Sequence, residues 1–241
     1  MLIFLDLETT GLEYEDRICS IGILAVQAQE KAVAMYELVN EGKKISAKAS
    51  SIHHISNEMI ASKDLFTKSE IYKFLQTHNR AETTIVAHNV NFAMQMLFHS
   101  GYEFKGKLVD TLRVARHLIP ESESYSLQYL RYELKLYKEE PKLLQSLQHE
   151  EAFIAHHALS DACIVKLLYE LLSSLAPADT FYELSHKYVL LQKFDFGKYA
   201  GRYIEEIAMN ERSYLEWMLY NIKDMDEDLK YSIEYYLGTT N

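Results

Sequence analysis

The chain has 241 residues, of which 48% are hydrophobic and 25% are charged, and this composition is typical of a folded globular protein and excludes intrinsic disorder. Its formal net charge of −10 argues against non-specific nucleic-acid binding as the main activity, because such binding depends on neutralising phosphates. Eight glycines and three prolines exclude collagen-like and low-complexity chains, and the length suffices for one domain and a smaller unit without disulfide staples.

The hydrophobic pattern predicts strands first, and then strands that alternate with helices. Strands are predicted at residues 2–7, 18–27, 32–40, 83–88 and the start of 107–120. Helices are predicted at 69–78, 89–101, the end of 107–120, 126–137 and 150–175, with a loop-like segment at 41–67. This order predicts an α/β fold in which a sheet of mixed strand direction is flanked by helices.

The composition changes after residue 176, where Pro177 ends the last of these helices. We therefore predict a main domain over residues 1–176 and a small α+β module over residues 187–241, built from a hairpin and helices. In the module, Lys198 and Arg202 are candidate nucleic-acid contacts because tyrosines stand beside them. The acidic, aromatic tail that follows is suited to a protein partner, which is the alternative role of the module.

Two acidic residues stand at the end of the first predicted strand. Asp6 and Glu8 are two positions apart, and residues at this spacing on a strand point to the same face. Neighbouring carboxylates repel each other and are costly near a core unless a cation lies between them. Hard divalent ions such as Mg²⁺ and Mn²⁺ prefer oxygen ligands, so the pair indicates a metal site. A solvated strand end is the alternative for these two residues alone.

A histidine and an aspartate lie near the last of these helices. In the sequence AHHALSDA, His156 stands five residues before Asp161, and on one regular helix this spacing places the two side chains about 140° apart. They can share a site only if His156 lies on the loop or first turn. A histidine beside a metal-bound carboxylate is a candidate general base for activating water, and an ordinary surface pair of His156 and His157 is the alternative.

Four motifs occur along the chain in the order that is found in one enzyme family: FLDLETTGL, VAHNVNF, LVDTLRVAR and HHALSDA. As a set they resemble the DEDD-type 3′→5′ exonucleases of the ribonuclease-H-like fold, in the subgroup with a histidine five residues before the last aspartate (DEDDh). That family includes exodeoxyribonuclease X and the epsilon proofreading subunit of DNA polymerase III, and the resemblance covers about residues 1–176. The tail segment FGKYAGRYIEEIA resembles the C-terminal module of exodeoxyribonuclease X-like proteins.

The resemblance implies a role for each matching residue. The metal-binding carboxylates would be Asp6, Glu8 and Asp161, and the general base would be His156. Contacts to the terminal nucleotide or the nearby substrate would come from Thr9, Thr10, Leu12, His88 and Asn89, with Leu12 as an apolar wedge against the base. The segment SIHHIS at 51–56 resembles a family loop in which glycine usually stands at the position of His54.

The second motif departs from the family pattern at one position. The family usually reads H-N-x-x-F-D, but HNVNFA places Ala93 where the fourth carboxylate is expected. Either the chain is a natural relative that does not cleave, or a native aspartate was replaced to abolish cleavage. We favour the second interpretation, because the other implied site residues and both flanks of Ala93 remain in place. In both cases the site as written has three carboxylates, and we expect impaired catalysis.

The resemblance implies a divalent-metal 3′→5′ exonuclease that acts on DNA 3′ ends, single- or double-stranded, with two Mg²⁺ or Mn²⁺ ions, in DNA repair or replication. The alternatives are an RNA exonuclease of the ribonuclease T type and a non-catalytic nucleic-acid-binding or polymerase-associated protein. The histidines and the two cysteines lack the spacing of a structural zinc site. Neither a signal peptide nor a run long enough to span a membrane is visible, so we expect a cytoplasmic protein without a membrane partner.

Overall fold

The computed structural model of the chain describes residues 1–28, 30–148 and 153–239. At its centre is a five-stranded sheet in the order β3-β2-β1-β4-β5. The strands are β1 (Leu2–Thr9), β2 (Ile18–Val26), β3 (Val33–Leu38), β4 (Thr84–Ala87) and β5 (Lys107–Asp110). The first three strands pair antiparallel, whereas β4 pairs parallel with both β1 and β5. The predicted α/β fold with a sheet of mixed direction is confirmed.

Helices lie on both faces of this sheet and in a small module that follows it in the chain. They are α1 (Ala47–His53), α2 (Asn57–Ile60), α3 (Glu70–Thr77), α4 (Val90–His99), α5 (Thr111–Leu118), α6 (Leu127–Glu133), α7 (Glu140–Leu147), α8 (Ala158–Leu175), α9 (Phe181–Leu184), α10 (Ile204–Asn210), α11 (Arg212–Asn221) and α12 (Glu227–Leu237). Within the described ranges, none of these helices has both the length and the apolar character that a membrane crossing requires.

The side chains of β1 alternate between the two faces, as in any strand. Ile3 and Leu5 belong to an apolar cluster with residues of α3 and α4, whereas Phe4 belongs to a second cluster with residues of α8. Asp6 and Glu8 continue the row of Phe4 and therefore point to the side of the sheet that α8 covers. The alternation that buries the core thus also aims both carboxylates at α8.

Three strands end at the same edge of the sheet, because β1, β4 and β5 run in the same direction. Phe4 pairs with Val86, so the chain leaves β4 at His88 beside the end of β1 that carries Asp6. The carboxyl ends of parallel strands are the usual place for a ligand site in α/β proteins. Motifs that are far apart in the sequence therefore meet at this edge.

Two segments differ from the sequence prediction. Residues 41–67, predicted as a loop, contain α1, α2 and a 3₁₀ turn, which are too short to show a clear 3.6-residue periodicity. The helix predicted from residue 150 begins at Ala158, and residues 153–157 are not helical. His156 adopts a φ of 59°, in the left-handed region that a right-handed helix excludes. Residues 149–152 of that predicted helix lie outside the described part of the chain.

The residues after α9 form a small module with its own apolar core, which contains side chains from α10, α11 and α12. The predicted hairpin is reduced to two isolated bridges, Lys193 with Tyr203 and Phe194 with Ala200. The module contacts α5 through Asp228, whose carboxylate accepts hydrogen bonds from Arg113 at 2.8 and 2.9 Å. The buried Asp228 therefore fixes the start of α12 to the main domain.

Candidate active site

A glycine allows the start of α8 to approach the end of β1. Asp6 pairs with Gly22 of β2. A Cβ atom on Gly22 would lie 2.2 Å from the backbone N of Leu159 and 2.3 Å from the carbonyl carbon of Ala158. Because a side chain does not fit there, glycine permits the close contact that brings the first turn of α8, with Asp161, toward the carboxylates of β1.

Asp161 is 5% exposed and accepts two hydrogen bonds. The backbone N–H of His156 donates to Oδ2 at 2.9 Å, and Nε2 of Gln128 donates to Oδ1 at 2.6 Å. The first bond ties the loop before α8 to the helix, and the left-handed backbone of His156 lets its side chain leave the helix axis and stay exposed. This geometry meets the condition under which the two residues can share a site.

One cavity of about 480 Å³ collects the predicted catalytic residues. Ligand atoms of Glu8, His156 and Asp161 lie within 4.8 Å of one another, and Asp6 lines the same cavity. The other lining residues are Leu7, His88, Ser126, Leu127 and Gln128. In contrast, His157 stacks on Tyr36 with ring centroids 4.1 Å apart. Of the two neighbouring histidines, His156 is therefore the one whose side chain lies with the carboxylates.

The three carboxyl groups of the cavity repel one another in a partly desolvated space. Burial, together with the charge of Asp161, raises the pKa of Glu8 to about 8. Burial also raises the pKa of Asp161 to about 7, although its hydrogen bonds and the charge of Arg131 act in the opposite direction. The pKa of Asp6 is well above its usual value because of burial and the charges of Asp161 and Glu8. Such groups retain protons near neutral pH unless a cation replaces them.

The donor set of the cavity fits a hard divalent cation. In the described ranges, neither a lysine nor an arginine forms an ion pair with Asp6, Glu8 or Asp161. The protein therefore supplies oxygen ligands without the positive charge that would balance them. Carboxylates in this arrangement are the ligands that hard divalent ions prefer.

Ala93 lies on α4, which begins at the edge of the sheet where the cavity is found. It is 5% exposed and belongs to the apolar cluster that contains Leu7 and Ile18. A methyl group has no electron pair to offer a cation. Ala93 is not among the residues that line the cavity, and the cavity has three carboxylates where the family pattern has four.

Sequence reasoning missed the residues that position Asp161. Oε1 of Gln128 accepts a hydrogen bond from Arg131 at 3.2 Å, and Arg131 in turn donates to both oxygens of Glu140 at 2.6 and 2.7 Å. Arg131 and Glu140 are both buried, so the pair is a rigid support for Gln128. Because these contacts join α6 to α7 and α8, neither periodicity nor motif spacing could have revealed them.

The second motif lies at the edge of the same cavity. Nε2 of His88 is 2.7 Å from the carbonyl oxygen of Tyr125, and Nδ1 is 3.0 Å from the hydroxyl of Thr111. Burial lowers the pKa of His88, and the neutral ring donates from Nε2 to the carbonyl oxygen of Tyr125, while the hydroxyl of Thr111 donates to the carbonyl oxygen of Ala87 at 3.2 Å. Asn89 is exposed and has a left-handed backbone with a φ of 68°. The side chain of His88 is thus held within the protein, while that of Asn89 is accessible.

Asp110 joins the second and third motifs. Its buried carboxylate accepts hydrogen bonds of 2.9 to 3.4 Å from the first N–H groups of α4 and α5, namely those of Asn89, Val90, Leu112 and Arg113. A carboxylate stabilises helix N-termini by accepting from their free N–H groups. The motif LVDTLRVAR contains this residue, but the sequence alone assigned it no role.

The three predicted nucleotide contacts in the turn after β1 differ in exposure and in hydrogen bonding. Leu12 is 77% exposed, where an apolar wedge can reach a base. The hydroxyl of the buried Thr10 donates to Asp16 at 2.6 Å, and that of Thr9 donates to the carbonyl of Gly11. The two threonine hydroxyls therefore maintain the shape of the turn that presents Leu12.

The SIHHIS segment supports this turn from behind. Nε2 of the buried His53 is 3.2 Å from the carbonyl oxygen of Thr9, and its Nδ1 accepts from the N–H of Ile55 at 3.1 Å. His54 ends α1 with a φ of 61°. A left-handed residue at the end of a helix explains why glycine is usual at this position of the family loop.

The two candidate nucleic-acid contacts of the module are exposed but paired with acidic residues. Nζ of Lys198 lies 3.5 Å from the carboxylate of Glu211, and Arg202 forms an ion pair with Glu206. Neither basic residue lines the cavity that contains Asp6 and Asp161. Their positive charges are therefore partly neutralised within the module.

Comparisons of sequence match both units of the chain. The profile of the exonuclease family (RNase T type) matches residues 3–169, and the profile of the exodeoxyribonuclease X-like C-terminal domain matches residues 194–223. Exodeoxyribonuclease 10 of Escherichia coli is 28% identical over 242 aligned residues, which cover 100% of both chains. The epsilon subunit of DNA polymerase III of Treponema pallidum is 29% identical over 168 residues, 64% of this chain and 76% of that protein.

Comparisons of structure agree. A structure of exonuclease X in complex with 5′-overhanging duplex DNA matches with a TM-score of 0.59 and 27% identity, over 77% of this chain and 99% of that chain. E. coli exonuclease I in complex with a dA16 oligonucleotide matches with a TM-score of 0.52 and 16% identity, over 73% of this chain and 41% of that chain, and shares the fold. The profile match over most of the chain and the agreement in structure show that this chain belongs to the family of 3′→5′ exonucleases and carries an exodeoxyribonuclease X-like C-terminal domain.

Proposed function

We propose that the chain binds DNA 3′ ends at a two-metal exonuclease site in which Asp6, Glu8 and Asp161 hold Mg²⁺ or Mn²⁺. The observation that carries the proposal is the set of three carboxyl groups with raised pKa values around one cavity. Ionised carboxylates that lie side by side repel one another, and a bound hard cation removes this repulsion. We further propose that Ala93 impairs cleavage, because a two-metal site with one ligand fewer holds its second ion weakly.

The residues of the cavity would divide the hydrolysis of the phosphodiester bond among them. Divalent ions at the carboxylates supply electrostatic stabilisation for the negative charge that develops on the phosphate. His156 is exposed beside Glu8 and Asp161, and in this proposal it accepts the proton of the attacking water. The hydrogen bond from its backbone to Asp161 keeps its loop in place relative to the carboxylates.

The substrate end would be held by the surfaces that surround the cavity. Leu12 would press against the terminal base, the turn of Thr9 and Thr10 would present it, and His88 and Asn89 would border the strand. Exodeoxyribonuclease 10 and the structure of exonuclease X with 5′-overhanging duplex DNA support DNA as the substrate class. In this proposal residues 1–176 form the exonuclease domain, and residues 187–241 form the docked module. Lys198 and Arg202 are weaker candidates for DNA contacts, because each is paired with a glutamate.

Ala93 is the observation that favours a second candidate, a DNA-end-binding protein without catalysis. An RNA exonuclease is a further alternative, because the choice between DNA and RNA depends on contacts to the 2′-hydroxyl. The two-metal proposal differs from the first alternative because it requires a carboxylate at position 93 for activity. It differs from the second because it requires deoxyribose in the substrate.

The test is the degradation of end-labelled DNA and RNA, single- and double-stranded, in Mg²⁺ by the chain as written and by the Ala93→Asp variant. We expect the variant to release mononucleotides from DNA 3′ ends and the chain as written to be nearly inactive. Equal activity of the two proteins would contradict the role of position 93. Inactivity of both, with DNA binding retained, would establish the non-catalytic candidate, and a preference for RNA would establish the RNA exonuclease.

A further inference from the structure

A groove rimmed by lysines lies between α8 and the segment from the end of α6 to α7. It encloses about 690 Å³. Its floor is apolar and its rim is basic: the floor consists of Leu134, Leu136, Leu143, Leu167 and Leu171, and the rim carries Lys135, Lys138, Lys142 and Lys166. We propose that this lysine groove binds the backbone phosphates of the DNA strand whose 3′ end lies in the catalytic cavity. The proposal rests on the proposed function and adds a second binding site to it.

The charge of the lysine groove is opposite to that of the whole chain, which carries a net charge of −10. Glu139 and Glu170 belong to the same lining, and Glu170 pairs with Lys166 at 2.7 Å. The other three lysines of the rim are exposed, and in the ranges 1–28, 30–148 and 153–239 they form no salt bridge with an acidic residue. Unpaired ammonium groups concentrated on an acidic protein are suited to phosphates.

The lysine groove and the catalytic cavity lie along the same two helices. On α6, Gln128 lines the cavity and Leu134, just after the helix, lines the groove. On α8, Asp161 lines the cavity and Lys166 lines the groove. Five residues on α8 correspond to a rise of about 7.5 Å and a rotation of about 140°, so the groove lies further along α8 and on another side of that helix from Asp161. A strand rises about 3.4 Å per nucleotide, so a strand that leaves the cavity and passes over the outside of α8 reaches the groove only after more than roughly two nucleotides.

Two exposed tyrosines stand beside these lysines. Tyr132 and Tyr137 are 62% and 40% exposed, and their ring centroids lie 5.6 Å apart. In the sequence they flank Lys135, and Lys138 follows directly. Exposed aromatic rings that alternate with lysines are the pattern with which proteins bind single strands, because bases stack on the rings while phosphates meet the charges.

Positive charge beside the exposed rings of Tyr132 and Tyr137 favours a nucleic-acid strand as the occupant of the lysine groove. In the C-terminal module Lys193, Lys198 and Arg202 are each paired with a glutamate, whereas Lys135, Lys138 and Lys142 have no such partner in the described part of the chain. An acidic protein segment is the other ligand with matching charge. The experiment below separates the two, because only a strand that starts in the catalytic cavity has an affinity that depends on its length.

The experiment measures fluorescence anisotropy of 5′-labelled oligodeoxythymidines of three and 16 nucleotides in Mg²⁺. The test variant replaces Lys135, Lys138 and Lys142 by Gln. The control variant replaces Arg80, Lys105 and Lys107 by Gln, which removes the same charge from exposed positions before β4 and at the start of β5, at the opposite edge of the sheet. Because Lys135 has a left-handed backbone, a second test variant changes only Lys138 and Lys142.

We expect the test variant to bind the 16-mer roughly tenfold more weakly or worse, and the slope of log affinity against log salt to flatten by about 2, because each single-strand phosphate contact contributes about 0.7. The affinity for the trimer should stay unchanged, since the trimer does not extend far into the groove. The double variant should show a smaller loss in the same direction, and the control should bind both oligonucleotides almost as the unaltered chain does.

Three outcomes would overturn the lysine groove as a DNA site. The first is an unchanged affinity of the test variants for the 16-mer, which would leave an acidic protein segment as the ligand. The second is an equal loss in the control, which would indicate a general effect of net charge. The third is an equal loss for the trimer, which would indicate a disturbed catalytic cavity. If the unaltered chain binds neither oligonucleotide, the proposed function fails, and the groove proposal fails with it.

Discussion

Buried carboxylates in two parts of the molecule differ in what balances their charge. Asp110 and Asp228 are each 2% exposed, and both have full sets of donors: Asp110 accepts from the first N–H groups of two helices, and Asp228 accepts from Arg113. In the catalytic cavity, burial and mutual repulsion raise the pKa of Asp6 and Glu8, and the described ranges supply no ion pair to either.

In the proposed function, this difference separates carboxylates that hold the fold together from carboxylates that bind metal. A buried acid with its donors in place stabilises the structure around it, whereas a cluster without a counter-ion is costly and persists at sites of function. The two kinds should respond differently to mutation. Mutation of Asp110 or Asp228 should affect the free energy of unfolding, and mutation of the carboxylates in the cavity should affect metal binding and turnover.

The largest expected effect concerns His156. In the Ala93→Asp background, His156→Ala should lower turnover by about 10²- to 10⁴-fold, because a general base contributes that much, while DNA affinity stays almost the same. The matched control is His157→Asn, which keeps a side chain able to cap α8, where His157 accepts from the N–H of Ser160 at 3.4 Å. Single-turnover rates on labelled DNA measure the effect. If the His157 variant loses activity and the His156 variant keeps it, the assignment of the base is wrong.

The carboxylate of Asp228, which is paired with Arg113, should contribute to the stability of the fold. Asp228→Asn weakens the hydrogen bonds from Arg113 and removes the attraction between the carboxylate and Arg116. We therefore expect the free energy of unfolding to fall by about 3 kcal/mol. Glu227→Gln at the neighbouring exposed position is the control and should change the free energy by less than about 0.5 kcal/mol. Urea unfolding measures both. If the Asp228 variant is fully folded but no longer binds Mn²⁺, the distinction between the two kinds of carboxylate is wrong.

A smaller effect is expected from the support of Asp161. Gln128→Leu removes the 2.6 Å hydrogen bond to its carboxylate, and the loss of such a partner of a metal ligand typically lowers metal affinity about 10- to 100-fold. The control is Gln145→Leu at an exposed position of α7. Mn²⁺ titration of the two variants decides the matter, and equal affinities would show that Gln128 does not position Asp161.

The cavity carboxylates should also make the stability of the metal-free chain depend on pH. The folded chain without metal favours the protonated forms of Glu8 and Asp161, whose pKa values are raised to about 8 and about 7. It therefore binds more protons than the unfolded chain between about pH 4 and 8, and this contribution to stability is lost as the pH rises through that window. Thermal unfolding in EDTA at pH 5 and pH 8.5 should show the decrease, and Mn²⁺ at pH 8.5 should reverse it. A Glu8→Gln variant should show a smaller decrease in stability between the two pH values. A decrease as large as that of the unaltered chain would contradict the raised pKa of Glu8.

Local patterns in the sequence predicted much of this structure. The alternation of β1 predicted that Asp6 and Glu8 share a face, and the spacing of His156 and Asp161 required a histidine outside the helix, where it lies. Contacts between distant elements were not predictable in this way. The approach of α8 at Gly22 and the chain of hydrogen bonds from Glu140 through Arg131 and Gln128 depend on packing across the fold. The short helices of residues 41–67 were missed because they contain too few turns for periodicity to show.

The central claim is that the carboxylates of the catalytic cavity hold a divalent cation, and Mn²⁺ titration by calorimetry tests it most directly. The chain as written should bind Mn²⁺ at millimolar concentrations or below, Ala93→Asp should bind it more tightly, and Asp6→Asn should bind it much more weakly. Asp64→Asn, at an exposed aspartate that does not line the cavity, is the control and should leave binding unchanged. Absence of Mn²⁺ binding by the chain at millimolar metal, or binding that is the same in the Asp6→Asn variant, would contradict the claim.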